Sequence, residues 1–297
     1  MSARVPPAPA KPDPLAVFRR VVARDRILLD LLAQHYLLST PQIAQALFAS
    51  QRTAQRRLTI LHRLDVLHRF ALPAPDHRAV PYLYTLGPLG VQLRPTTYND
   101  PNRSAGKAPR SSLDRARRIA ASPTARHLLG INQFFIDLLG TSRRDPGAQL
   151  VRWWSEQHAT AVYAQAGIHP DGHGVWTRDQ RTVGFFLEHD NGTENLARVV
   201  AKLRGYERLT TFGPRYPVLL WVPSARREAH LLQVLAGLRS PHLRVATAVH
   251  GPDPAGRIWT LAGPNTGRRQ LHDLPSDHGP DAATNPNPFT DLPDTDP

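Results

Sequence analysis

Acidic residues at a strand end and in a nearby turn form the group of side chains best suited to chemistry in this sequence. Asp171 lies in a Pro-Asp-Gly turn, and the apolar run that starts at Val183 ends in Glu188 and Asp190. Carboxylates delivered by a strand end and a neighbouring turn can hold Mg²⁺ or Mn²⁺ against a phosphodiester. The spacing therefore predicts either a divalent-metal site that acts on nucleic acid or the remains of one.

A lysine on the helix that follows extends this candidate site. Lys202 is the only lysine between residues 131 and 297, and Tyr206 comes one helical turn later. Both side chains can lean toward the strand end, where a lysine can orient an attacking water and stabilise charge on phosphorus. The predicted catalytic residues are Asp171, Glu188 and Lys202, and the predicted metal ligands are Asp171, Glu188, Asp190 and Glu156.

The same acids are compatible with roles that involve no chemistry. Asp171 in a Pro-Asp-Gly sequence is a favoured turn residue. Asp190 suits a loop or the entry to a helix, for which we predict Asn191 as the cap and Glu194 as the second member of a capping box. From these residues alone, an active nuclease site and an inactive one remain open.

Positive charge is concentrated in the N-terminal part of the chain. Residues 1–130 contain 20 lysines and arginines against 7 acids, whereas residues 131–297 contain 17 of each. The whole net charge of +13 therefore lies in the first part. A basic part beside a neutral part indicates a module for binding polyanions that is joined to a second domain.

Several classes of protein are excluded by composition. The chain has no cysteine, which excludes disulfides, thiolate zinc sites and cysteine nucleophiles. No apolar run is long enough to span a membrane, and the proline- and alanine-rich N-terminus has no apolar core of a secretory signal. We therefore expect a cytoplasmic protein without a membrane partner.

The basic part has the pattern of a winged helix-turn-helix. A helical period begins at Ala23, Ser39 or Thr40 can cap a second helix, and a third helix is predicted over Arg52–Leu64. Two short β-like runs follow, separated by a loop over residues 73–81. Three helices followed by a hairpin are typical of this DNA-binding module.

One face of the third helix carries the polar and cationic side chains that a recognition helix presents to base edges. The residues predicted to contact DNA are Gln51, Arg52, Gln55 and Arg56 on this helix, and Arg69 and Arg78 on the hairpin. Double-stranded DNA is the predicted partner, with replication or transfer proteins as further partners and a homodimer as a compatible state. The alternative is a helical packing unit, or a winged helix used for protein contacts.

Several segments match the pattern of one protein family. They are residues 24–93, Trp154…Glu156, Pro170-Asp171-Gly172, Phe185–Glu194 and Lys202…Tyr206. Over residues 24–262 the chain resembles the replication-relaxation family. The resemblance implies an actinobacterial DNA-binding protein of plasmid or mobile-element replication or mobilisation. The alternative is a non-catalytic transcriptional or replication regulator whose second domain mediates protein contacts.

The second half also resembles the PD-(D/E)xK restriction-endonuclease-like fold. In that pattern, Pro170-Asp171 is the proline-aspartate pair and Glu188 is the second acid. The lysine of the pattern normally stands two residues after the second acid, where this chain has Asp190. The resemblance then implies that Lys202 supplies the missing lysine from the following helix, with Mg²⁺ or Mn²⁺ as cofactor.

The expected fold is a two-domain α+β protein with an N-terminal winged helix-turn-helix and a C-terminal α/β restriction-endonuclease-like domain. In the second domain, Ala159–Tyr163 is predicted to be strand-like, and the apolar run Tyr216–Val222 to be a strand buried on both faces. The expected boundaries are a disordered N-terminus (1–22), the winged helix (23–93), a linker (94–120), the nuclease-like domain (121–262) and a disordered tail (263–297).

Overall fold

The residues described by the computed structural model fold into ten α-helices and two β-sheets, so the protein has a mixed α+β fold. The described residues are 14–72, 80–93, 112–122, 124–192, 195–237, 240, 242–263 and 267–277. The chain divides into two compact units, and the division falls after Ala121. Among these residues, no helix is long and apolar enough to cross a membrane.

The first unit combines helices with a small antiparallel sheet. Its elements are α1 (Pro14–Phe18), α2 (Ala23–His35), β1 (Leu38–Ser39), α3 (Thr40–Leu47), α4 (Gln51–Arg63), β2 (Leu67–Phe70), β3 (Leu83–Leu86), α5 (Pro88–Leu93) and α6 (Ser112–Ala121). The sheet has the strand order β1-β3-β2, with β3 antiparallel to both neighbours. Helix α6 overlaps the end of the stretch expected to be a linker and extends one residue beyond it, and α1 lies within the stretch expected to be disordered.

Local hydrogen bonds set where the central helices of this unit begin. The Ser39 hydroxyl accepts from the amide of Gln42, and Oε1 of Gln42 accepts from the amide of Ser39, which completes a capping box at the start of α3. Ser50 caps α4 by accepting from the amide of Thr53. Of the two predicted caps, Ser39 and Thr40, the structure shows that Ser39 caps the helix.

An ion pair between distant residues joins α2 to α4. Asp25 is 1% exposed and accepts hydrogen bonds from Nε and from a terminal nitrogen of Arg57. The same carboxylate accepts from the amide of Val22 at 2.9 Å, at the start of α2. Arg57 also donates to the carbonyl of Arg20 at 2.7 Å. This arginine therefore serves the packing of the unit, unlike the exposed arginines on the same helix.

Replacing Asp25 by alanine is expected to lower the free energy of unfolding of the first unit by about 2 to 3 kcal/mol, because Arg57 and the Val22 amide lose their shared acceptor. Urea unfolding followed by far-ultraviolet circular dichroism measures the change. The exposed Arg63, on the same helix as Arg57, provides the control variant Arg63→Ala. A loss below about 0.5 kcal/mol for Asp25→Ala would mean that the ion pair is not structural.

The second unit is built on a seven-stranded mixed sheet. Its elements are α7 (Ala125–Arg144), β4 (Ala148–Ser155), α8 (Glu156–Val162), β5 (Gly172–Arg178), β6 (Arg181–His189), α9 (Leu196–Leu209), β7 (Val218–Val222), α10 (Ala225–Leu235), β8 (Val245–Val249), β9 (Trp259–Leu261) and β10 (Arg268–Arg269). The strand order is β10-β9-β8-β7-β6-β5-β4. Strands β6, β7 and β8 run parallel, and every other neighbouring pair is antiparallel.

Helices cover both faces of this sheet. Alternate side chains of a strand point to opposite faces, so Phe185 and Phe186 belong to different layers. Phe186 packs in a cluster with residues of α9 and α10, whereas Phe185 contacts Phe134 and Phe135 of α7. Strand β7 is buried along its whole length, as its continuous apolar sequence predicts.

Three expectations for the second unit are corrected by the structure. Ala159–Tyr163 is not a strand, because Ser155 caps helix α8 and the alanine-rich sequence continues it. The helix that carries Lys202 is capped by Asn195 rather than by Asn191, and Glu194 lies outside the described residues. Residues 267–277 of the expected disordered tail form β10 and a 3₁₀ turn.

Candidate active site

The strand pairing of β5 with β6 brings the two predicted acids together. Asp179 and Gln180 both adopt positive φ in the two-residue turn that connects these strands. The register places Gly172 opposite Leu187, so Asp171 and Glu188 are neighbours at the far end of the hairpin. Residues 17 positions apart in sequence therefore present two carboxylates at one end of the sheet.

Helix α9 supplies both hydrogen-bond donors that the structure places on Glu188. The ammonium nitrogen of Lys202 lies 3.2 Å from Oε2, and the hydroxyl of Tyr206 donates to Oε1 over 2.5 Å. The two donors lie on one face because they are four residues apart on the helix. Lys202 remains 45% exposed, so its ammonium faces solvent as well as the carboxylate.

Glu188 has an unusual protonation equilibrium. Burial and the negative charge of Asp171 raise its pKa to about 7, although Lys202 and the hydrogen bond from Tyr206 oppose the shift. Burial and the charge of Glu188 raise the pKa of Tyr206 well above its ordinary value, so the phenol remains a donor. A carboxyl group whose pKa lies near 7 beside a second carboxylate is a feature of functional sites.

This raised pKa predicts how stability changes with pH. A carboxyl group that holds its proton more tightly in the folded state than in the unfolded state loses stabilisation as pH rises from about 4.5 to about 7. The free energy of unfolding of the parent should therefore fall between pH 4.5 and pH 7, whereas that of Glu188→Gln lacks this contribution. The difference in stability between Glu188→Gln and the parent is expected to shift in favour of the variant by up to about 3 kcal/mol over this range. All five tryptophans lie in the second unit, so urea unfolding followed by tryptophan fluorescence at several pH values measures this difference. A difference that does not vary with pH contradicts the prediction.

Asp171 is held by two groups, and pattern analysis of the sequence anticipated neither of them. Its Oδ1 lies 3.1 Å from Nε2 of His127, and its Oδ2 accepts from the backbone amide of His189 at 2.7 Å. The side-chain amide of Asn191 donates to Nδ1 of His127 at 3.0 Å. Since Nδ1 is an acceptor, Nε2 carries the proton and donates to Asp171. His127 lies on α7, 44 residues before Asp171, and no local motif marks it.

The other two acids predicted as metal ligands are placed differently. Oδ2 of Asp190 forms an ion pair with Nε of Arg227 and Oδ1 accepts from the amide of Gly192, each at 2.6 Å, so both of its oxygens have partners away from Asp171 and Glu188. Glu156 lies at the exposed start of α8. Desolvation and the charge of Asp171 raise its pKa.

The two central carboxylates fit a divalent cation of the magnesium type. Such a cation usually takes one or two carboxylates, and water and phosphate oxygens supply the remaining ligands. Asp171 and Glu188 provide two carboxylates whose mutual repulsion raises the pKa of Glu188, and a cation would relieve that repulsion. Within the described ranges, no group of three or more histidine, aspartate or glutamate side chains is arranged to hold a metal ion.

The residues predicted to contact DNA lie in the first unit. Gln51, Arg52, Gln55 and Arg56 are all exposed on α4. Arg69 is half-buried on β2, with its guanidinium 4.3 Å from the centre of the Tyr82 ring. Arg78 lies outside the described residues. The structure therefore places four of the six predicted DNA-binding residues at exposed positions of α4.

Comparison with known proteins gives one match. The family model described as replication-relaxation matches residues 29–218, which is well over half of the chain. No curated protein and no solved structure shows a significant match. The matched range includes helices α3 and α4 of the first unit as well as Asp171, Glu188 and Lys202.

Proposed function

The chain belongs to the replication-relaxation family, and from that premise we propose a DNA-binding protein of plasmid or mobile-element replication or mobilisation. Its first unit binds duplex DNA as a winged helix-turn-helix. Its second unit is restriction-endonuclease-like and nicks DNA with Mg²⁺ or Mn²⁺. Membership of the family supports the role in replication or mobilisation, and the side chains of each unit support the binding and the cleavage.

The observation that carries the proposed cleavage is the Asp171–Glu188 pair with Lys202 at its edge. Asp171 lies directly before β5 and Glu188 lies near the end of the adjacent strand β6. The partly exposed ammonium of Lys202 lies 3.2 Å from the Glu188 carboxylate. The parallel and antiparallel parts of the sheet meet at β6, the strand that carries Glu188. Metal-dependent cleavage of a phosphodiester requires such an arrangement, in which two carboxylates and the ammonium group of Lys202 meet at the end of a strand.

Each residue of the proposed site has a separate task. Asp171 and Glu188 hold the metal ion, and Tyr206 fixes the Glu188 side chain through its 2.5 Å hydrogen bond. The chemistry that a bound divalent cation supplies is polarisation of the phosphodiester and activation of water. Lys202 orients the attacking water and stabilises negative charge that develops on the phosphate.

The element order of the first unit supports duplex DNA binding. Helix α2, strand β1, helices α3 and α4, and the β2–β3 hairpin follow each other in the order of a winged helix, with the sheet order β1-β3-β2. Helix α4 buries Ala54, Leu58 and Leu61 and exposes Arg52 and Arg56. A helix with a buried back and a cationic front suits the major groove of DNA.

Incubation of the purified protein with supercoiled plasmid tests the two activities together. With Mg²⁺ or Mn²⁺ we expect conversion to open-circle or linear DNA, and excess chelator should prevent it. Binding of a labelled duplex by the same preparation is expected to weaken steeply with salt, because phosphate contacts release counterions. A salt-dependent gel shift without cleavage would remove the nuclease proposal and leave a DNA-binding protein.

One feature of the site favours the alternative of a non-catalytic regulator. Every oxygen of Asp171 and Glu188 already accepts a hydrogen bond from a protein group. Carboxylates satisfied in this way can serve as structural groups on a platform for replication or transfer proteins. Absence of saturable Mn²⁺ binding, together with unchanged DNA binding, would select this alternative.

A further inference from the structure

We infer that His127 and Asn191 form a positioning relay that holds Asp171 in the orientation needed for metal binding. The inference rests on the proposed metal-dependent function and adds two residues to it. Asn191 donates to Nδ1 of His127, and Nε2 of His127 donates to Asp171. The three residues come from the loop after β6, from α7 and from the turn before β5.

The relay fixes the carboxylate at both oxygens. Oδ1 of Asp171 is held by His127 at 3.1 Å and Oδ2 by the amide of His189 at 2.7 Å, so rotation of the carboxylate breaks two hydrogen bonds. Each oxygen keeps a further lone pair for a cation. A ligand that is already oriented loses little conformational freedom when it binds metal.

The packing of α7 indicates that this arrangement depends on close approach of the helix. A Cβ added at Gly130 would lie 2.4 Å from Nε2 of His189, so a larger residue here would displace the imidazole of His189 or move α7 away from it. His127 lies one helical turn before Gly130 on the same helix. The ring of His127 meets that of His189 edge-on, with 5.3 Å between the ring centres. The close contact therefore delivers the His127 side chain to Asp171.

The relay also explains why Asn191 does not cap a helix. Its side-chain amide is directed to His127, and Asn195 caps α9 instead. Asn191 is exposed, so its replacement removes a hydrogen bond to His127 without creating a cavity. Replacing His127 therefore removes the contact to Asp171 directly, whereas replacing Asn191 acts on Asp171 only through His127.

The test measures Mn²⁺ binding by the full-length protein in the absence of DNA, from the electron paramagnetic resonance signal of free Mn²⁺. His127→Ala is expected to weaken binding about 10- to 100-fold, and His127→Gln, whose amide can still donate to Asp171, to restore it to within about threefold. Asn191→Ala is expected to weaken binding less than His127→Ala. His230→Ala, at an exposed histidine of α10, is the control and should bind as the parent does.

The outcomes separate this inference from the proposed function. Equal Mn²⁺ affinity for the parent, His127→Ala and Asn191→Ala would overturn the relay and leave the metal site in place. Absence of saturable Mn²⁺ binding by the parent, or binding that survives Asp171→Asn, would overturn both. Should His127→Ala fail to fold, Asn191→Ala decides the result, and affinity equal to that of the parent would overturn the relay.

Discussion

Replacing Glu188 by glutamine, or Asp171 by asparagine, is expected to reduce metal-dependent nicking of plasmid DNA by more than about 100-fold, because loss of a metal ligand removes several kcal/mol of transition-state stabilisation. Both changes keep the size of the side chain, remove its negative charge and replace one carboxylate oxygen by an NH2 group that donates instead of accepting. Affinity for duplex DNA is expected to stay nearly constant, because the proposed DNA-binding residues lie in the other unit.

The same hairpin offers a matched control for these variants. Asp179 lies in the turn at the opposite end of β5 and β6, and its side chain is 73% exposed. It adopts positive φ, a conformation that asparagine also accepts, so Asp179→Asn removes one carboxylate without strain. This variant should nick DNA at the parental rate. Cleavage that survives both Glu188→Gln and Asp171→Asn would rule out the assigned site.

Simultaneous replacement of Arg52 and Arg56 by alanine is expected to weaken binding of duplex DNA by about 10- to 100-fold, since each arginine contact to DNA contributes about 1 kcal/mol or more. Both side chains are exposed on α4, and no ion pair engages either of them among the described residues. If both contact phosphates, the slope of log affinity against log salt should decrease by about 2. Fluorescence anisotropy with a labelled duplex over a series of salt concentrations measures both quantities.

Arg144→Ala separates a specific contact from a general loss of charge. Arg144 is an exposed arginine at the end of α7, in the second unit, so its replacement removes one positive charge outside the proposed DNA-binding helix. Its affinity should remain close to that of the parent. A loss at a single target base pair would mark base readout by α4, and a uniform loss would mark phosphate contact. Unchanged affinity in the double variant would favour a winged helix that contacts protein.

Much of the secondary structure could be predicted from local sequence patterns. The cap at Ser39 follows from hydrogen bonds between residues three apart, and the strand over Val218–Val222 follows from a continuous apolar run. Patterns of this kind depend on neighbours in sequence, so they survive whatever the tertiary arrangement is. The segment Ala159–Tyr163 was assigned wrongly, because a short apolar run suits a helix as well as a strand until its cap at Ser155 is recognised.

The centre of the candidate site could also be predicted in part from the sequence. Helical spacing predicts that Lys202 and Tyr206 lie on one face of their helix, and the acidic turn was expected near the end of the strand that carries Glu188. The hairpin that joins Asp171 to Glu188 is seen only in the structure. The position of the Asp190 side chain could not be predicted in this way. Its carboxylate is taken by Arg227, 37 residues later, and nothing in the local sequence distinguishes this partner from other arginines.

The sequence by itself determined the start of α3, the buried strand Val218–Val222 and the basic first part, because each depends on short-range geometry or on composition. Only the tertiary structure decided the partners that lie far apart in the chain. Asp25 meets Arg57 across 32 residues, and His127 meets Asp171 across 44. These contacts form because helices pack on particular faces, and the packing of α7 at Gly130 is set by the whole sheet rather than by the residues around His127.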